Sequence, residues 1–235
     1  MSMSSLFRAK GSVRGAGALS RARLGAAGGL LVLACSAPLP AHGQLFWAQL
    51  IDMQNLTAAE WAQLPEYCAH TQTFHKGGPE YQRWIDRLGM GFSAMHHYCW
   101  GIIKAYRANT VAVGTQFQNS LLSDAVREIE YVVRNTPQDF ILRPEVFLRG
   151  GQWAAMLGQH ARALEYYQAS VAAKPDYWPA YLEIANVNLA IRRRQHAIDA
   201  LQLGLQHSPG QPALQGKLQS LERDRSIGAP RSQRP

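Results

Sequence analysis

FLRGGQWAAMLGQHARALEYYQASVAAKP, residues 147–175, and YLEIANVNLAIRRRQHAIDALQLGLQHSP, residues 181–209, are one pattern written twice at an offset of 34 residues. Phe147 returns as Tyr181, Gly151 as Ala185, Ala163 as Ala197, Leu164 as Ile198, Tyr167 as Leu201 and Pro175 as Pro209. Each copy divides into two runs with helical apolar spacing, which makes it a helix-turn-helix unit. Such a unit cannot bury its apolar face alone, so copies must stack, and the fold class is all-α, a short α-α solenoid. Small Gly151, Ala163, Ala185 and Ala197 let paired helices approach closely, while Tyr167, Tyr181 and Leu201 fill the gaps between units. The prolines end each second helix.

Upstream, Ala125 stands 12 residues before Pro137, the same interval that separates Ala163 from Pro175 and Ala197 from Pro209. A degenerate unit therefore occupies residues 91–137, with Trp100-Gly101 as its bulky-small pair and a long loop from Thr110 to Asn119 where the periodicity lapses. Before it, Trp84, Leu88, Phe92, Met95, Cys99, Ile102 and Tyr106 keep a three-to-four spacing, which predicts one long helical segment from Glu80 to about Asn109, bent near Gly89 and Gly91. Thr57 and Glu60 form a capping box that starts a helix at about Ala58, and Pro65 restarts one. Leu214, Leu218 and Leu221 predict a capping helix over the last open face. The expected organisation is residues 1–43 a signal peptide, 44–90 a divergent helical region, 91–137 the degenerate pair, 144–177 and 178–211 the two clear units, 212–224 the capping helix and 225–235 a disordered tail. At the turn between paired helices, Gly158 is replaced by Arg192, where glycine would ease the backbone.

The pattern of Gly158, Ala163, Tyr166, Tyr167 and Pro175, and of Tyr181, Ala185, Ala197 and Pro209, resembles the tetratricopeptide repeat family. The segment from Met95 to Gly101 is similar to one in exported proteobacterial proteins that carry such repeats. The resemblance implies a non-enzymatic module that binds a protein or peptide partner in a concave groove lined by the first helix of each unit. The groove-facing residues it implies are Leu148, Gln152 and Met156, with Ala155, from one unit, and Leu182, Asn186 and Leu189 from the next. Asn186 matches a residue of the clamps that grip chaperone tails, but Leu182 stands where those clamps place a lysine, which argues against such a ligand.

Residues 1–43 contain Arg8, Lys10, Arg14, Arg21 and Arg23, no acidic residue, and an apolar run from Leu24 to Ala34 ahead of Ala41-His42-Gly43. This is the layout of a secretory leader, too short in its apolar run to span a membrane. The expected location is exported and periplasmic. Val32-Leu33-Ala34-Cys35 resembles a lipobox, so the alternative is a lipoprotein tethered through Cys35. Without the five leader cations the formal charge of +8 falls to +3, and no basic stripe interleaves with aromatics, which excludes a nucleic-acid reader.

Cys68 and Cys99 are the two cysteines outside the leader. In an exported chain, two cysteines on neighbouring helical segments pair with each other, stapling the divergent region to the first unit. The competing reading is a metal site of Cys68, His70, His96, His97 and Cys99, since imidazole and thiolate together suit zinc or copper. Consecutive His96 and His97 diverge by about 100° around a helix, which weighs against a shared ion. No cofactor is expected. No phosphate loop, nucleophile elbow or spaced acid pair occurs, and Glu128 and Glu130 are expected to meet solvent.

Overall fold

The computed structural model describes residues 55–72 and 78–228. The segment expected to be a leader, with Cys35, and also His75 and the last seven positions lie outside the described residues. Helix α1 is a single turn, Ala58–Trp61, closed by the capping box: Glu60 N–H donates to Thr57 Oγ1 at 3.3 Å and Thr57 N–H to Glu60 Oε2 at 2.8 Å. After Pro65 a 3₁₀ turn forms, Glu66–His70. Helix α2, Pro79–Leu88, starts with proline in its first turn and stops at Gly89, whose φ of +87° a side chain rarely tolerates. A second 3₁₀ turn, Met90–Ala94, leads into α3, Met95–Ala108. The segment predicted as one bent helix is thus three pieces. Gly91 lets the second 3₁₀ turn pack closely, because a Cβ there would run into the ring of Phe140.

Helix α4, Gln116–Asn135, begins at Thr115, which accepts from Gln118 N–H at 3.2 Å. The loop is therefore shorter than the lapse in periodicity implied. Buried Gln118 holds it, donating to Ala108 O at 3.1 Å and accepting from Gly114 N–H at 2.8 Å. Then come α5, Arg143–Met156, and α6, His160–Ala173, followed by α7, Trp178–Ala190, and α8, Arg194–His207. Helix α9, Pro212–Gly228, continues past residue 224, so residues 225–228, expected in a disordered tail, are helical.

Pairing follows chain order: α3 lies on α4, α5 on α6 and α7 on α8, with α6 against α7 and α9 against α8. This is an all-α helical repeat solenoid. Its first interior joins the N-terminal pieces to α3 and α4 through Tyr67, Phe92, Tyr98, Val126 and Ile129. Close approach is set by glycine, as a Cβ on Gly101 would lie 2.8 Å from the Trp153 ring and one on Gly151 would enter the ring of Tyr167. Ser170 Oγ fastens α6 to the start of α5 by donating to Pro144 O at 2.7 Å. Arg192 takes the turn at φ +61°, the position that Gly158 occupies at +72° one unit earlier. Fully buried Leu214 and nearly buried Leu221 seat α9 on the last pair.

Two attachments tie the N-terminal segment down. Cys68 and Cys99 are bonded in the structure, with Cα atoms 5.9 Å apart. Arg107 Nε on α3 donates to Glu60 Oε1 at 2.5 Å, and both side chains are buried. Burial works against the charged carboxylate, but the hydrogen bonds from Arg107 and Thr57 outweigh it and hold Glu60 below its ordinary range.

Candidate functional site

The first helix of each pair, α3, α5 and α7, contributes to one cleft. On α5 the residues Arg149, Gln152, Trp153 and Met156 recur at intervals of three and four, which places them on one helical stripe. They line a cleft of about 470 Å³ together with Asn109 from the end of α3, Ala155, Tyr167 from α6 and Glu183 from α7. A smaller hollow of about 160 Å³ adjoins it, sharing Asn109, Arg149, Trp153 and Met156 and adding Gln63, Ile102 and Tyr106. Apolar and polar groups alternate on this surface. Trp153 is nearly buried and Met156 is 46% exposed.

The polar groups form a row. Arg149 Nη1 donates to Gln152 Oε1 at 3.2 Å, Gln152 Nε2 donates to Glu183 Oε1 at 3.2 Å, and Asn186 Nδ2 donates to Glu183 Oε2 at 3.3 Å. Glu183 and Gln152 are half-buried. Tyr167 is fully buried, and its hydroxyl has no hydrogen-bond partner among the described residues. Burial, then the negative charge of Glu183, pushes its phenol well above the usual range, so the group is a permanent O–H donor.

No family model and no curated protein matches the sequence. Among solved structures, a similar chain is the first TPR of Spaghetti (RPAP3) bound to HSP90 peptide SRMEEVD; it is 14% identical, covers 54% of this chain and 94% of that one, and superposes with a TM-score of 0.38. At that distance the neighbour's peptide says nothing about this chain's ligand.

Of the residues that the resemblance placed in a groove, Gln152, Met156 and Ala155 line the cleft, and Asn186 reaches it through Glu183. Leu148 does not: it is buried in the interior with Tyr167, Ala180 and Val187. Leu182 and Leu189 pack, half-buried, against the α7–α8–α9 interior. The reason is rotational. The open stripe of α5 runs through Arg149 rather than Leu148, and adding the repeat offset of 34 leads to Glu183 rather than Leu182. Apolar Leu148 and Leu182 gain more by burial between helices than by facing water. Asn109, Arg149, Trp153 and Glu183 escaped the sequence reading, although the four-residue step from Arg149 to Trp153 and the repeat offset from Arg149 to Glu183 were available; Asn109 carries no such signal.

The cysteine and histidine set does not come together as a metal centre. The two sulfurs are bonded to each other, so neither is a free thiolate. His97 Nδ1 donates to Glu128 Oε2 at 2.5 Å and its ring stacks on Tyr131 at 3.6 Å between centroids. Buried His96 meets Gln72 and Ser93 O, and His70 stacks on Trp84. Among the described residues no three His, Cys, Asp or Glu side chains converge on a point that could hold an ion. Glu128, expected in solvent, is instead packed between His97 and Lys104. Burial opposes its charge, and hydrogen bonds from His97 and Lys104 more than offset that, holding its carboxyl below the ordinary range. Glu130 pairs with Arg162 on α6.

Proposed function

We propose that this chain is a non-enzymatic binding or assembly module that holds an extended segment of a partner protein in the cleft between α3, α5 and α7. The supporting observation is the cleft itself: about 470 Å³ of concave surface, walled by Trp153, Ala155 and Met156 and floored by the Arg149-Gln152-Glu183-Asn186 row. That size and that mixture of apolar wall with a few oriented polar groups is what peptide recognition uses. The work is proposed to be done in a bacterial envelope. The leader in residues 1–43 and the pairing of Cys68 with Cys99, which an oxidising compartment preserves, support that location. A tether through Cys35 is the second reading, supported by the lipobox-like Val32 to Cys35; on that reading Cys35→Ala releases the protein from the membrane fraction, and unchanged retention rules the tether out.

The test is site-specific cross-linking in the native host. A photoreactive phenylalanine at Met156 is expected to give a discrete adduct that the same group at exposed Glu165, on α6, does not give. Identical adduct patterns at the two positions, or none at Met156, would refute the cleft as the binding surface.

A further inference from the structure

The floor of the cleft carries hydrogen-bonding capacity that the fold leaves unused. Each oxygen of Glu183 is held by one neutral side-chain amide, from Gln152 on α5 and Asn186 on α7, and among the described residues no cation pairs with it. Neutral donors return only part of what a half-buried carboxylate loses in leaving water, and a charged donor returns more. At the same cleft Tyr167 ends in a buried hydroxyl with no acceptor among the described residues, although a phenylalanine would fill the same space against Gly151. A buried donor left unpaired is costly, so the hydroxyl is expected to acquire an acceptor when the cleft is filled.

The walls add shape to this chemistry. Trp153, Ala155 and Met156 give an apolar track that leads to a carboxylate, which is the outline of a long side chain with an aliphatic stem and a charged head. Arg149, at the α5 side, already donates to Gln152 Oε1, so its charge lies at the opposite end of the row from Asn186. The row is polar in one direction: it accepts a cation at Glu183 and offers a donor at Arg149.

Resting on the reading of the cleft as a peptide site, we infer that its ligand is an extended peptide with a lysine or arginine. The stem of that residue lies along Met156 and Trp153, its head pairs with Glu183, and a main-chain carbonyl of the same peptide accepts the hydroxyl of Tyr167. Arg149 then faces a carbonyl or an acidic group further along the peptide. An acidic residue in the central position would meet Glu183 with like charge and an unpaired cost.

The experiment uses four acetylated, amidated nonapeptide mixtures, with arginine, lysine, norleucine or glutamate at the centre and randomised flanks, titrated by fluorescence anisotropy against the mature protein. The arginine and lysine mixtures are expected to bind about tenfold more tightly than norleucine, which keeps the stem and lacks the head, and glutamate more weakly still. Glu183→Gln keeps the shape, with its oxygen accepting from Gln152 and its amide N–H donating to the oxygen of an Asn186 side chain turned over, and removes that preference. Tyr167→Phe weakens all four mixtures while leaving the thermal melt unchanged or higher, which a purely structural tyrosine would not do. Equal binding of the four, or a basic preference that survives Glu183→Gln, overturns this inference and leaves the cleft reading standing. Failure of every mixture to bind overturns both.

Discussion

Removing the charge of Glu60 should destabilise the protein far more than its place in a four-residue helix suggests. Its side chain accepts from Thr57 N–H at 2.8 Å, from Thr57 Oγ1 at 3.0 Å and from Arg107 Nε at 2.5 Å. The two side chains of the ion pair are only 4% and 9% exposed. Glu60→Gln takes the Glu60 carboxylate charge away from the buried Arg107 guanidinium, and breaking a buried pair from one side costs up to about 3–5 kcal/mol. For a domain of this size each kcal/mol lowers the melting midpoint by roughly 2–4 °C, so a drop on the order of 10 °C is expected. Urea unfolding followed by helical circular dichroism gives the free energy, and a double-mutant cycle with Arg107→Leu isolates the pair. The double variant should cost less than the sum of the two single variants, because both singles break the same contact. A single-variant cost under about 1 kcal/mol together with near-zero coupling would show that the N-terminal segment is not docked on α3 through this contact.

Gly151→Val places atoms inside the ring of Tyr167 and should cost about 1–3 kcal/mol by overpacking; an unchanged urea midpoint would argue against the α5–α6 contact. Reduction of Cys68–Cys99, which lie 31 residues apart, should cost up to roughly 4 kcal/mol by freeing the unfolded chain, and a melt insensitive to reductant would contradict the pairing. Burial, with the neighbouring His97, depresses His96 from 6.5 to about 4. The unfolded chain therefore binds a proton that the folded one refuses, and His96 contributes stability that is present above pH 6.5 and is lost as pH falls towards 4. That loss is on the order of 3 kcal/mol. His96→Gln should flatten the stability profile across that window, and an unchanged slope would refute the assignment.

The solenoid was legible because stacking imposes a period, and a period survives in one sequence. Gly151, Ala163 and Tyr167 recur at fixed intervals since each must meet an equivalent neighbour. The cleft was legible only in part, since Leu148 and Leu182 differ from Arg149 and Glu183 by one position, a rotation of about 100° around the helix. An apolar stripe and an open stripe adjoin on the same helix, and nothing local marks which side the next unit covers. Contacts without a period were hidden altogether. Glu60 and Arg107 are 47 residues apart and His97 and Glu128 are 31 apart, and each pair is joined only by the packing of separate elements. The break at Gly89–Gly91 was seen as a bend rather than a stop, because the apolar spacing continues across it while the backbone turns at Gly89, φ +87°.

Hydrogen–deuterium exchange on the protein, alone and with the partner captured at Met156, tests the binding surface most directly. Protection is expected in α5 and α7 around Gln152, Met156 and Asn186, and at the end of α3 near Asn109, with α6 and α8 unchanged on their outer faces. Protection confined to α6 and α8, or spread evenly over all helices, would contradict a partner seated in the cleft.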